Sequence, residues 1–147
     1  MADFLSGLRI SSSGMTAQRQ RLNAISSNIA NINTTKTPEG GAYRRKDVVF
    51  EAMPDARNFG EVLTGTDPRA KMNRVQVTDI VSDTRAPLVK YEPGHPDANP
   101  DGYVAYPNIN LMEEMTNMIQ ASRSYEANVS AMQASKDMAL SALEIGR

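Results

Sequence analysis

The sequence contains no cysteine, no tryptophan and a single histidine, His95, in 147 residues. Without cysteine there is no disulfide framework, no thiolate metal site and no thiol nucleophile. One histidine in a proline-rich loop cannot complete a zinc site. It also has no nucleophile-elbow serine to activate. Aromatics make up only 5% and apolar residues 40%, which favours extended helical packing over one large aromatic core. The longest run of large apolar residues, Val48-Val49-Phe50, falls far short of a membrane span, so no direct membrane insertion is expected. A formal net charge of -1 supplies no global positive field for nucleic acid. The start, Met1-Ala2-Asp3-Phe4, lacks the basic and apolar regions of a secretory signal, so any exit from the cytoplasm is expected to use no cleaved signal.

Proline and glycine are present but confined. All eight prolines lie between Pro38 and Pro107, and six of nine glycines between Gly40 and Gly102. Because proline lacks the N–H and clashes with the preceding turn, only the two ends of the chain are free to form long helices. The expected organisation is α+β: an N-terminal helical segment over 1–35, a β-rich middle over 36–107 with a turn-rich loop, and a C-terminal helix over 108–147.

Both ends carry a 4-3 apolar spacing. The first stripe is Phe4, Leu8, Ser11, Met15, Gln18, Leu22, Ile25, Ile29 and Ile32. The second is Leu111, Met115, Met118, Ser122, Tyr125, Val129, Met132, Lys136, Ala139 and Leu143. Such stripes predict two long helices packed as a coiled-coil-like hairpin, with other faces left for neighbours. Asn110 with Glu113 predicts a cap at the start of the second helix, and Asn31-Ile32-Asn33-Thr34-Thr35 the exit of the first. Ser11-Ser12-Ser13-Gly14 is poor helix, so fraying before about Met15 is expected in a free monomer.

In the middle, Tyr43–Met53, Val75–Val77, Leu88–Tyr91 and Gly102–Tyr106 are strand candidates of one small sheet. No catalytic constellation emerges. Gly40-Gly41 lacks the Lys-Ser/Thr of a phosphate loop, and Glu113-Glu114 suits the positive end of a helix. Arg44-Arg45-Lys46 is the only tight basic cluster, either a solvated strand edge or a match for an acidic patch on a protein neighbour. Met112, Met115, Met118, Met132 and Met138 crowd the second helix, as core or as an adaptable surface for unlike neighbours. Asn23, Ser26, Ser27, Asn28 and Asn31 form either a polar outer face or a close, hydrogen-bonded interface.

The stretch from Ser13 to Thr35, centred on Ser27-Asn28-Ile29-Ala30-Asn31-Ile32-Asn33-Thr34, resembles the N-terminal signature of flagellar rod and hook proteins. Met115-Thr116-Asn117-Met118-Ile119 through Ser124-Tyr125-Glu126-Ala127-Asn128 resembles their C-terminal signature. Thr37 to Lys46, Tyr91 to Asp97 and Gly102 to Asn108 are similar to the short, proximal-rod type, with Ala42 where proline is frequent. The resemblance implies a structural subunit and not an enzyme, without cofactor. It would be exported by the flagellar type III machinery and polymerised helically into the periplasm-spanning rod, transmitting torque. Its implied partners are copies of itself, neighbouring rod proteins and the MS-ring and export-gate adaptor. The residues expected to carry assembly are Leu8, Met15, Leu22, Ile25, Asn28, Ile29, Asn31, Ile32 and Asn33 at one end. At the other they are Leu111, Met115, Met118, Tyr125, Val129, Met132 and Leu143. Another axial protein, or a secreted coiled-coil adhesin or effector, would share the helices but in the latter case not both signatures.

Overall fold

The computed structural model describes residues 2–54 and 73–145. Helix α1 spans Ala2–Ala30 and α2 spans Leu111–Ile145. Between them lie β1 (Lys46–Pro54), β2 (Asn73–Ser82), β3 (Leu88–Tyr91) and β4 (Tyr103–Tyr106). At about 1.5 Å per residue the helices are roughly 44 and 52 Å long. The strands form two separate antiparallel ribbons, β1-β2 and β3-β4, and not the single small sheet that composition suggests.

The helices pack antiparallel. Gly14 faces Asn128 and Asn28 bonds Glu114, so equal steps forward on α1 and backward on α2 stay in register. The line of closest approach lies one residue before the predicted stripes. On α1 it passes through Gly14, Ala17, Ala24 and Asn28, with Ile25 beside them. On α2 it passes through Glu114, Ala121 and Asn128. Small side chains let the helix axes approach closely, while bulkier ones would hold them apart. A Cβ on Gly14 would already stand 3.0 Å from the Asn128 amide.

The β1-β2 ribbon lies along another side of α1. Its beginning is tied at Asn28 through Lys46, and the Val75 amide donates to Ser13 Oγ farther back along the helix. Val48 is buried and Phe50 and Val77 half-buried, while Val49, Ile80 and Val81 face outward. The pairing shifts between Val49 and Phe50, leaving Thr78 as an extra residue of β2, a bulge that bends the ribbon. Helix α1 therefore has cover on two sides and α2 mainly on one.

That cover explains why Ser11-Ser12-Ser13-Gly14 does not interrupt α1, which is continuous from Ala2. Ser13 Oγ donates to the Ile10 carbonyl and accepts from Val75, and Thr16 donates to the Ser12 carbonyl. Tertiary contact offsets the weak propensity. The end of α1 is closed by Asn31, whose side chain donates to the Ser27 carbonyl and accepts from Thr34. At the start of α2, Asn110 Oδ1 accepts from the Met112 amide, the expected cap. No bond returns from Glu113 to Asn110, so the reciprocal half of the capping box does not form.

The loop 92–102 between β3 and β4 is internally bonded. Glu92 and Gly102 pair through the backbone, and Asn99 pairs with Tyr103 and Gly102. Gly102 is buried at φ +82°, and a Cβ there would meet the Tyr91 ring at 2.8 Å. His95 Nδ1 accepts from the Asp97 amide, and its ring stands edge-on to Tyr106. Tyr106 donates to Glu92, a bond that holds its phenol above the ordinary tyrosine value. Thr35 donates to Asp97 and so ties this loop to the exit of α1.

Replacing Gly14 by Leu should lower unfolding stability by about 1–3 kcal/mol through overpacking against Asn128. Combining it with Asn128→Ala should recover part of that loss. Strictly additive denaturation midpoints for the two substitutions would contradict the close approach.

Candidate assembly site

The side chains that join the two helices meet at the end from which α1 leads into the middle region and α2 emerges from it. Asn28 is fully buried (0% exposed) and Glu114 nearly so (1%). Asn28 Nδ2 donates to the Lys46 carbonyl at 2.8 Å and to Glu114 Oε2 at 3.1 Å. Its Oδ1 accepts from the Lys46 amide at 2.8 Å and from the Tyr43 hydroxyl at 3.2 Å. The two bonds to Lys46 reproduce what a neighbouring strand would offer, so this amide acts as a one-residue partner for the first residue of β1. Both donors and both acceptor positions of the amide are used.

Glu114 Oε1 accepts from Arg45 Nε at 2.7 Å, and Arg45 also reaches Asp47 at 3.0 Å. Burial alone works against the Arg45 charge, but its hydrogen bonds to Glu114 and Asp47 outweigh that and raise its pKa. Glu114 additionally lies in the first turn of α2, where the helix dipole favours a carboxylate. One buried cluster thus connects α1, the approach to β1, and α2.

Of the residues expected from sequence, Ile25 and Asn28 are buried in the subunit itself. Leu8, Met15, Leu22, Ile29, Asn31 and Ile32 are half-buried, and Asn33 is exposed. On α2, Met118, Tyr125, Val129 and Met132 are half-buried, whereas Leu111, Met115 and Leu143 are exposed. The stripe on α2 therefore divides: its central members border the α1 contact and its ends do not. Met112, Ile119, Met138 and Leu140 are exposed as well. Leu111, Met115 and Ile119 recur every four residues and form one apolar row on the uncovered side of α2.

Arg45, Tyr43 and Glu114 escaped the expected set. Of the basic cluster, Arg44 and Lys46 are exposed as a solvated edge would be, but Arg45 turns inward. Its acidic partner belongs to the same chain, 69 residues away. The available signal was positional: Glu114, Ala121 and Asn128 recur at seven-residue intervals, as do Gly14, Arg21 and Asn28. Among the described residues no group of His, Asp or Glu side chains could hold a metal ion, and no helix is long and apolar enough to cross a membrane.

The Asn28 geometry makes a specific demand on donors. Asn28→Ala should cost about 1–3 kcal/mol by orphaning buried partners. Asn28→Asp is isosteric yet should cost more, about 3–5 kcal/mol, because it sets a second carboxylate against Glu114 and the Lys46 carbonyl. Equal chemical-denaturation midpoints for the two variants would refute this geometry.

Comparison with known proteins places the same two regions in one family. The family model described as flagella basal body rod protein matches residues 8–36, covering most of α1 and its exit. The model described as the C-terminal part of flagellar basal body rod FlgEFG proteins matches residues 101–145, covering β4 and α2. Flagellar basal-body rod protein FlgC of Borreliella burgdorferi is 42% identical over 147 residues, covering 95% of each chain. The FlgC proteins of Bacillus subtilis and Escherichia coli O6:H1 are 39% and 38% identical, covering 95% and 94% of this chain and 96% and 94% of their own. With the buried Asn28 inside the N-terminal match and Glu114 inside the C-terminal one, the chain belongs to the flagellar basal-body rod proteins of the FlgC type.

Proposed function

We propose that this protein is a structural subunit of the proximal rod, not an enzyme, held in a helical assembly by the faces of its terminal helices. The uncovered row Leu111, Met115 and Ile119 is the observation that carries this reading, because a single subunit leaves it in water. Full burial of each such side chain contributes about 1.5–3 kcal/mol, so several neighbours sharing these faces would stabilise an assembly that one subunit cannot. Exposed Met112, Met115 and Met138 suit this role, since methionine packs against unlike surfaces with little strain.

In this reading α1 and α2 form a coiled-coil-like hairpin, supported by the seven-residue recurrence of the contact line. The ends, 1–35 and 108–147, act as one helical unit and the middle, 36–107, as the outer one. Copies of the chain and other rod proteins flank it laterally, the MS-ring and export-gate adaptor lies below, and the type III apparatus delivers it without a cleaved signal. The assembled cylinder carries torque. Leu8, Met15, Leu22, Ile29 and Ile32 border the hairpin and complete their burial against neighbours. Ile25 is already enclosed, so a charge there would test folding more than assembly.

Exposed positions separate the two. Met115 and Ile119 are 48% and 55% exposed, so Met115→Asp with Ile119→Asp should leave subunit stability within about 0.5 kcal/mol. The double variant should be exported yet yield no swimming and basal bodies without a rod. Normal motility and intact rods would overturn the reading.

A further inference from the structure

A groove of about 330 Å³ opens beside the exit of α1, between that exit and the segment 37–46. Three cations of the stretch 36–46 line it: Lys36 after the helix, Arg44 in the connecting segment and Lys46 at the start of β1. None of the three forms an ion pair with a carboxylate among the described residues, although Lys46 Nζ lies 5.9 Å from the Tyr43 ring centroid. The contrast with their neighbours is sharp. Arg45 is neutralised by Glu114 and Asp47, and Arg85 by Asp83. The lining holds one carboxylate, Glu39, so the groove carries a positive surplus in a chain whose net charge is -1.

The walls are set in place. Thr37 binds the Gly41 carbonyl through both its amide and its hydroxyl, and the Tyr43 hydroxyl is held by Asn28. Long cationic side chains normally lose rotamer freedom on pairing, but here the backbone that carries them is already ordered, which reduces the cost of binding.

We propose that this groove docks an acidic segment of an adjoining protein subunit, whose carboxylates pair with Lys36, Arg44 and Lys46. The proposal rests on the reading of the chain as a packed rod subunit. The pocket's size suits one or two inserted side chains. Three exposed cations around one small groove suit a short peptide better than an extended polyanion, which needs a broad basic face. Carboxylates brought to guanidinium and ammonium groups in a partly enclosed groove gain charge-assisted hydrogen bonds. Such contacts select a partner and its register more than they add affinity.

The test uses the full chain and a hexaglutamate peptide, followed by amide shifts in NMR. Shifts should concentrate around the groove, weaken with added salt and vanish in a triple Lys36→Glu, Arg44→Glu, Lys46→Glu variant. A triple Lys36→Gln, Arg44→Gln, Lys46→Gln variant, with less repulsion, should reduce binding at least tenfold while keeping the native spectrum. Absence of shifts, shifts elsewhere, or equal shifts with sulfate would overturn the proposal, the last in favour of simple anion adsorption. In cells the charge-reversed chain should be exported but fail to complete rods. Normal swimming of that strain, with loss of swimming in the Met115→Asp, Ile119→Asp strain, would overturn the groove and leave the assembly reading standing. Normal swimming of both would overturn both.

Discussion

Helices that meet along glycine and alanine approach closely, but small side chains give them little to interlock, and such a pair could slide by a turn. The buried contact of Asn28 with Glu114 removes that freedom. A displaced register would leave a carboxylate and an amide in an apolar contact without partners, which is far costlier than the modest net gain of forming their bonds. The cluster therefore contributes chiefly to specificity, in the manner of a polar residue at a core position of a coiled coil. Because Asn28 also holds both backbone groups of Lys46, the same choice of register decides where β1 begins along α1. Arg45 then neutralises Glu114 from the strand side, so helix pairing and ribbon placement depend on one another.

From this junction the asymmetry of the subunit follows. The ribbon runs back along α1 from Lys46 toward Ser13, so α1 lies between α2 and β1-β2. Helix α2 receives no comparable second layer and keeps leucine, isoleucine and methionine in water. Its exposed face also lacks the usual density of charge: between Met115 and Ser135 it carries only Arg123 and Glu126. A monomeric protein would ordinarily solvate such a helix with lysine and glutamate. A subunit meant to be surrounded has no such need.

Much of this architecture is legible in the residues. Confining proline to the middle leaves only the ends for long helices, and each of the four strand candidates falls on a strand, although β2 runs well beyond Val75–Val77 to span Asn73–Ser82. Asn110 and the Asn31–Thr35 run marked helix boundaries because capping is a local interaction. The helix contact was harder to read. Apolar spacing points to the largest side chains, yet the helices meet along small and buried polar ones, one residue away, so the stripe borders the contact line. That displacement separates Ile25, which is enclosed, from Met115, which is open. Strand candidates likewise say nothing of their partners, and two ribbons arose where one sheet was expected. The pairing of Arg45 with Glu114 spans 69 residues, so local sequence offers only a solvated edge or a neighbour's acidic patch for the first and a helix-start charge for the second.

The arrangement also bears on stiffness. In the proposed assembly, twisting would load the joint between the middle region and the helices, so that joint would limit rigidity. Here the joint is short and multiply bonded. Asn31 and Thr34 close the helix, Thr35 fastens the loop 92–102, and Tyr43, Arg45 and Lys46 join β1 to Asn28 and Glu114. Each bond alone contributes about 0.5–1.5 kcal/mol, but they act at different points around the same turn and resist bending in different directions. Apolar contacts, being non-directional, permit small slides that such bonds forbid. Polar residues where β1 meets the two helices thus keep the subunit rigid, and in the proposed assembly the apolar ones along the open face of α2 would let it adapt to unlike neighbours.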